Sequence, residues 1–370
     1  MSEPQQLDEV ETPALVIDGP TMVENVVSMA ARAREAEVGL WPHSKTHKSL
    51  AVAALQRDHG IAGLTTATPR EAEVFAAGGV EDILIAYPPV GHRLERLVQL
   101  SKKARIRVVL DDAGTAAALD DACRRAGTRV GYLWEVDSGA GRIGTEPGSA
   151  AASVIAPVAD STRHANFAGV MSFAGHAYSA ETPEEIGDVA EGEGRAVLET
   201  ASALADAGIQ AHALSVGTTP TTHQLEREGA VTEVRPGNYV FYDATQVALG
   251  VVPVERCALS VLGTVVARPS QTRLILDTGM KALSGEVLSP STRGFGLVLG
   301  HLELFIARLY EEHAIVHSEH PIDIPVGARL RVVPNHACTC VNLHERMLVV
   351  EDDDAVADVW SVDARGWRAS

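Results

Sequence analysis

Short apolar runs alternate with amphipathic stretches through the first two-thirds of the chain. The runs are VGLW (38–41), AGLTTA (62–67), DILIAY (82–87), IRVVLD (106–111), YLWEVD (132–137), FAGVMSF (167–173) and ALSVG (213–217), followed by TEVRPGNYVFYD (232–243). The segments between them carry helical punctuation. PREAEVFAAGG (69–79) has proline at its start, acids in its first turn and glycines at its end. HRLERLVQLSKKA (92–104) and AGTAAALDDACRRAG (113–127) show helical apolar spacing and basic last turns, and EEIGDVAEGEGRAVLETASALADAG (184–208) is a longer helix. Strands separated by helices predict a parallel sheet, and eight such units predict a (β/α)8 TIM barrel over residues 20–248. A doubly wound open sheet is the alternative. No GxGxxG follows a first strand, which weakens its nucleotide-binding form.

After about residue 248 the texture changes. CALSVLGTVVARP (257–269), TRLILDTG (272–279), ELFIARLY (303–310), ARLRVVPN (328–335), MLVVED (347–352) and DVWSVDARG (358–366) read as strands. Their linkers are rich in Gly, Pro, Ser and Asp, and long helical patterns are absent. A β-rich C-terminal domain is expected here. The early run PALVID (13–18) is left over once the barrel has its eight strands, so the second unit is expected to comprise residues 1–19 plus 249–370.

The length of 370 residues suits two units at ~150 residues per domain. With 31 basic and 49 acidic residues the formal charge is −18, which argues against nucleic acid and anionic membranes as partners. A local basic pocket for a small anion stays compatible with that sum. Four cysteines, Cys123, Cys257, Cys338 and Cys340, are too sparse for a disulfide framework. The start, MSEPQQLDEVETP, lacks the basic and apolar regions of a signal peptide, and no apolar run approaches ~18 residues. The expectation is a soluble protein of a reducing cytoplasm.

In a parallel barrel the chemistry sits at the C-terminal ends of the strands, so the polar residues after each run enumerate the candidates. The first run ends in Pro42-His43-Ser44-Lys45-Thr46-His47-Lys48. A solvated basic turn explains it; so does a partly desolvated lysine amine suited to Schiff-base chemistry, with His43 and His47 as proton or metal partners. The fifth run leads through a glycine-rich turn to Arg142, and the sixth to His176 and Tyr178. The seventh ends in Ser215-Val216-Gly217-Thr218-Thr219-Pro220-Thr221, small residues whose N–H and hydroxyl groups suit a phosphate. Arg235, Gly237 and Asn238 follow on the eighth. A phosphate cradle, arginines and a lysine at one barrel mouth fit an aldehyde cofactor bearing a phosphate, and pyridoxal 5'-phosphate meets that description.

In the β-rich part, Pro334-Asn335-His336-Ala337-Cys338-Thr339-Cys340 stands out. An H-x-C pair in a strand would share one face, and thiolate plus imidazole selects zinc over magnesium or calcium. A buried Cys beside a hydrogen-bonded His is the alternative. Cys340 and His344 are further candidates, and Glu311-Glu312-His313 reads either as a base and its neighbours or as a charged surface turn.

These stretches carry a resemblance. ETPALVID, WPHSKTHK, EVDSGAGRIG, GVMSFAGHAY, LSVGTTPT, EVRPGNYVFYD and PNHACTCVNLH run in order from residue 11 to 344. They resemble the D-threonine aldolase / D-serine dehydratase group of fold-type III pyridoxal-phosphate enzymes, relatives of alanine racemase. The resemblance implies a lyase acting on β-hydroxy-D-amino acids, with retro-aldol cleavage favoured over dehydration to a 2-oxo acid and ammonia. A racemase, a non-catalytic carrier of the cofactor and a metal-dependent hydrolase in a barrel are further alternatives. It implies Lys45 as the Schiff-base lysine, Arg142 near the cofactor's phenolic oxygen and His176 stacked on the pyridine ring, with Tyr178 beside it. Ser215, Gly217, Thr218, Gly237 and Asn238 are implied as phosphate contacts, and Arg235 as facing the pyridine nitrogen. His336 and Cys338 are implied as ligands of one divalent metal, zinc or manganese, acting in catalysis with Lys45. A homodimer with the site near the subunit interface is implied as well. Some members carry Asp in place of Cys338, and the catalytic tyrosine of alanine racemase has no match here.

Overall fold

The computed structural model describes residues 6–224, 231–351 and 354–366. Eight short parallel strands form the first sheet: β2 (Gly39–Leu40), β3 (Leu64–Thr66), β4 (Asp82–Ile85), β5 (Arg105–Leu110), β6 (Val130–Glu135), β7 (Ala165–Met171), β8 (Ala213–Val216) and β9 (Glu233–Val234). Their order, β2-β9-β8-β7-β6-β5-β4-β3, is the chain order closed into a ring. The seam between β2 and β3 is joined by a bridge from His43 to Thr65 and by bonds from Ala62 N to Leu40 O and Thr65 N to Pro42 O, both 2.8 Å. The barrel expected from the apolar rhythm is therefore present.

The helices begin where their caps stand. Thr68 accepts from Glu71 N ahead of helix Pro69–Ala77, Asp112 accepts from Thr115 N ahead of Ala113–Ala126, and Thr182 accepts from Glu185 N ahead of Pro183–Asp206. Helices Gly19–Glu35, Leu50–Asp58, His92–Leu100 and Ser149–Ser161, with the one-turn helix Thr219–Thr222 between β8 and β9, complete the alternation. Inside the barrel, Trp41, Leu84, Val109, Leu133, Met171 and Ala213 pack together. Arg107 stacks 3.9 Å over the Trp41 ring and pairs bidentately with Glu233 at 2.7 and 3.1 Å. The run TEVRPGNYVFYD is strand only at Glu233–Val234; proline and glycine stop it, and Asn238–Val240 is a short 3-10 helix.

The second sheet has nine strands. β1 (Ala14–Asp18) belongs to it, pairing antiparallel with β10 (Leu259–Ser270) and parallel with β16 (Arg346–Val350). The others are β11 (Arg273–Leu276), β12 (Leu297–Val298), β13 (Phe305–Leu309), β14 (Ala314–His317), β15 (Arg329–Val333) and β17 (Val356–Ser361). The order is β11-β14-β13-β12-β15-β10-β1-β16-β17, and a further β10–β11 pairing closes the first six into an antiparallel barrel. The twelve-residue β10 makes this possible by pairing with β1 and β15 near its start and with β11 at its end. No helix among the described residues is long and apolar enough to cross a membrane. All four cysteines are free, and only Cys338 is other than buried.

Candidate active site

One cavity of about 490 Å³ opens at the C-terminal ends of the barrel strands and is roofed by the second sheet's loops. Of the residues singled out in the sequence, it gathers Lys45, Arg142, Tyr178, Gly217, Thr218, Arg235, Gly237, Asn238, His336 and Cys338. They come from five barrel strand ends and from one loop of the β-rich part, separated by up to 293 residues of chain.

Lys45 sits in a 3-10 turn, Ser44–Thr46, that follows β2. Its Nζ lies 5.7 Å from the Phe173 ring centre, with the Arg142 guanidinium 4.3 Å from the same ring. Arg142 pairs with Glu135 at 3.3 Å. The turn that presents it is tied by Asp137, which accepts from Gly139 N and Gly141 N. His43 also lines the cavity; burial and the nearby Lys45 push its pKa well below the ordinary imidazole range, so it is neutral.

The anion cradle is built from two short helices. Thr219 opens helix Thr219–Thr222 and Asn238 opens Asn238–Val240, so their N–H groups have no partner within those helices. Gly237 is required by close approach: a Cβ there would come within 2.8 Å of His43 O and 2.9 Å of Thr46 Oγ1. The Asn238 Oδ1 is buried without a hydrogen-bond partner among the described residues, as is His176 Nδ1. Lysine, cradle and orphaned polar atoms together fit a phosphorylated aldehyde.

Some expected contacts take other partners. The Gly217 N–H donates to the Glu193 carboxylate at 3.1 Å, not outward to a phosphate. Thr218 N donates to Thr221 Oγ1 at 2.9 Å. Ser215 lies beneath the cavity wall, where it accepts from Arg235 Nη1 at 2.5 Å; the other guanidinium nitrogen donates to Ser172 O. His176 is not among the lining residues. It stands behind the Gly139 turn, its Nε2 3.4 Å from where a Cβ on Gly139 would be.

The H-x-C pair is not on a strand. His336 is the extended residue before helix Ala337–Val341, and Cys338 is in that helix's first turn. The two side chains still face each other, each favouring the charged form of the other. Thr46 Oγ1 is 3.1 Å from Cys338 Sγ, which fastens the pair to the lysine loop. Asp243 Oδ2 accepts from Ala337 N at 2.9 Å and also from Asn238 Nδ2, linking the pair to the cradle. Burial opposes the thiolate, but His336, Lys45 and Thr46 outweigh it and lower the Cys338 pKa. Burial likewise works against the imidazolium, yet Cys338 and Glu286 raise His336 to about 10. His336 Nδ1 lies 2.7 Å from Glu286 Oε2, the arrangement in which a carboxylate orients a metal-binding histidine. A thiol whose ionised form is favoured and a histidine held by a carboxylate fit a divalent metal, which would take the place of the proton on His336. No cluster of three or more His, Cys, Asp and Glu suited to a metal occurs among the described residues.

The remaining candidates are structural. His47 is fully buried, its Nδ1 3.1 Å from Ser49 N and its ring edge-on to Phe75. Lys48 Nζ bonds Asn342 at 2.8 Å and Glu71 at 3.3 Å, and lines a different cavity. Cys340 Sγ and His344 Nε2 both contact Ala282 O, at 3.2 and 2.9 Å. Glu311 and Glu312 pair with Lys281 at an exposed hairpin turn, which corrects the base reading of that triplet. Residues the sequence did not point to are Glu193, Asp243, Glu286 and the wall formed by Tyr87, Phe173 and Leu288.

Residues 17–245 match the alanine racemase N-terminal domain, and residues 258–350 match a serine dehydratase domain. A D-threonine aldolase of Arthrobacter sp. is 33% identical over 98% of this chain and 94% of that protein. A D-threo-3-hydroxyaspartate dehydratase of Delftia sp. (strain HT23) is 34% identical over 89% of this chain and 91% of that one. Its solved structure aligns with a TM-score of 0.92 at 32% identity over 98% and 100% of the two chains. Two variants of that dehydratase, one with alanine in place of a histidine and one, in a metal-free form, with alanine in place of a cysteine two positions on, align with TM-scores of 0.92 and 0.91. The D-threonine aldolase from Filomicrobium marinum aligns with a TM-score of 0.90 at 29% identity over 99% of each chain.

Proposed function

The chain belongs to the alanine racemase-like, fold-type III family that includes D-threonine aldolases and D-serine and 3-hydroxyaspartate dehydratases; from that premise we propose that it is a pyridoxal-phosphate- and metal-dependent D-threonine aldolase. The observation that carries the reading is the convergence of Lys45, the cradle and the His336–Cys338 pair on one cavity.

Pyridoxal phosphate held by Lys45 and the cradle supplies an electron sink for the pair released when a bond to the α-carbon breaks. A divalent metal on His336 and Cys338 supplies Lewis acidity toward the substrate's β-hydroxyl. The chain's own residues do the rest. Lys45 offers the amine that a D-amino acid displaces. Thr219, Gly237 and Asn238 offer N–H groups to the phosphate. Arg142 places a cation on the cavity wall, and buried Arg235 is held in place by Ser215 and Ser172. Glu286 fixes the His336 ring, and Phe173, Tyr87 and Leu288 line the cavity. In the balanced reaction the Cα–Cβ bond breaks, the hydroxyl proton leaves as the carbonyl forms, and a proton ends on the α-carbon to give glycine and an aldehyde.

The uncharged wall of Ala67, Ala86, Tyr87, Met171, Phe173 and Leu288 suits a methyl or aromatic β-substituent. The H-x-C spacing supports a second reading, dehydration, because the relative with variants at that spacing is a dehydratase.

With the holoenzyme, D-threonine turnover is expected to stop on chelation and to return with zinc or manganese, and L-threonine is expected not to react. Turnover that survives the chelator contradicts the metal role, and equal turnover of L-threonine contradicts the stereochemical one.

A further inference from the structure

Helix Pro183–Asp206 packs outside the barrel against β7, β8 and helix Thr219–Thr222. From its middle it sends Glu193 inward, where the side chain is 1% exposed. Oε1 accepts from Ala174 N at 3.0 Å and from Gly217 N at 3.1 Å. Oε2 accepts from Gly217 N at 3.1 Å and from Thr221 Oγ1 at 3.4 Å.

An acid here is costly. Burial pushes its carboxyl up to about 7, against the pull of Arg235 and of the donating N–H groups. An apolar residue would fill the site without that penalty. What the site demands is an acceptor with no donor of its own, because two main-chain N–H groups and a hydroxyl converge on it. Among side chains only a carboxylate meets that demand; glutamine would set an NH2 against one of the N–H groups.

Each anchored residue leads into the cavity. Gly217 continues to Thr218 and Thr219, and its φ of +104° with a Cβ position 2.9 Å from Thr222 Oγ1 confines it to glycine. Ala174 continues to Gly175 and the turn bearing His176 and Tyr178. One buried carboxylate thus clamps the loops after β7 and β8 to each other.

We propose that Glu193 is a positioning residue that sets the phosphate-binding turn at 217–219. The role rests on the reading that the cavity takes pyridoxal phosphate. It predicts an effect on the phosphate end of the cofactor and not on the aldehyde end.

The test titrates cofactor-stripped protein with pyridoxal phosphate and, separately, with unphosphorylated pyridoxal, following the visible absorbance of each. Glu193→Gln is expected to weaken pyridoxal phosphate by about tenfold, the loss of about one good hydrogen bond, while pyridoxal changes by less than about twofold. Glu193→Asp, which keeps the acceptor but shortens its reach, is expected to fall between. An unchanged affinity ratio in both variants overturns the proposal. So does an equal loss of both ligands with a lowered melting temperature, which marks a general packing role. If the unsubstituted protein binds neither ligand, the cofactor reading itself fails, and the role of Glu193 fails with it.

Discussion

Lys45 and Cys338 are brought together by Thr46, whose backbone follows the lysine and whose hydroxyl meets the thiol. That contact lets two separable functions share one cavity. Replacing Lys45 with Ala is expected to abolish the cofactor's visible band. Replacing His336 with Ala is expected to leave the band and remove metal-dependent turnover. Absorbance and activity measured on the same preparations check both; a retained band in the lysine variant moves the Schiff base elsewhere. These residues were legible because a lysine flanked by histidines at a strand end, and an H-x-C pair, are unusual in composition. Glu193 and Glu286 were not legible. A lone glutamate in a helix or loop gives no pattern, and its partners at 174, 217 and 336 are found only through the fold.

Elements were legible where local chemistry agreed with the packing. The helix at Pro69–Ala77 shows proline and acids at one end, and helix Ala113–Ala126 ends before Gly127 in the left-handed region. Asp112 is expected to hold the latter's N-terminus through Thr115 N at 2.6 Å, so Asp112→Ala is expected to cost about 1 kcal/mol. Urea denaturation measures that loss, and an unchanged midpoint contradicts the cap. The H-x-C segment was misread as strand because its alternation fits one. The Ala244–Ala248 helix decides otherwise: Ala244 N and Thr245 Oγ1 bond the carbonyls of Pro334 and Asn335, turning the chain into a helix at His336. β2 and β9 are two residues each, too short for periodicity alone to bound.

At the scale of the molecule, the apolar rhythm foretold two sheets, and β1 joined the second because β10 offers it an edge. The packing that joins the elements also buries titratable groups. His47 lies against Phe75 with its pKa lowered to about 3, burial being the main cause. Its ordinary value near 6.5 returns on unfolding, so the unfolded chain gains a proton that the fold refuses. Stability from this residue is complete above that value and falls as pH drops, by about 2 kcal/mol between pH 7 and 5. Glu193, raised to about 7, acts in the opposite sense over that range, so a difference is the proper readout. His47→Gln is expected to change the difference in denaturation free energy between pH 7 and 5 by about that amount, making the variant relatively more stable at the acid end. Parallel pH profiles for the two proteins contradict it.

The convergence of lysine, cradle and metal pair on one cavity makes the bond that breaks the central question. Incubating the metal-loaded holoenzyme with D-threonine and identifying the products by mass spectrometry answers it, since both routes start from the same substrate. The account predicts glycine and acetaldehyde. Ammonia and 2-oxobutyrate would contradict the aldolase and install the dehydratase in its place.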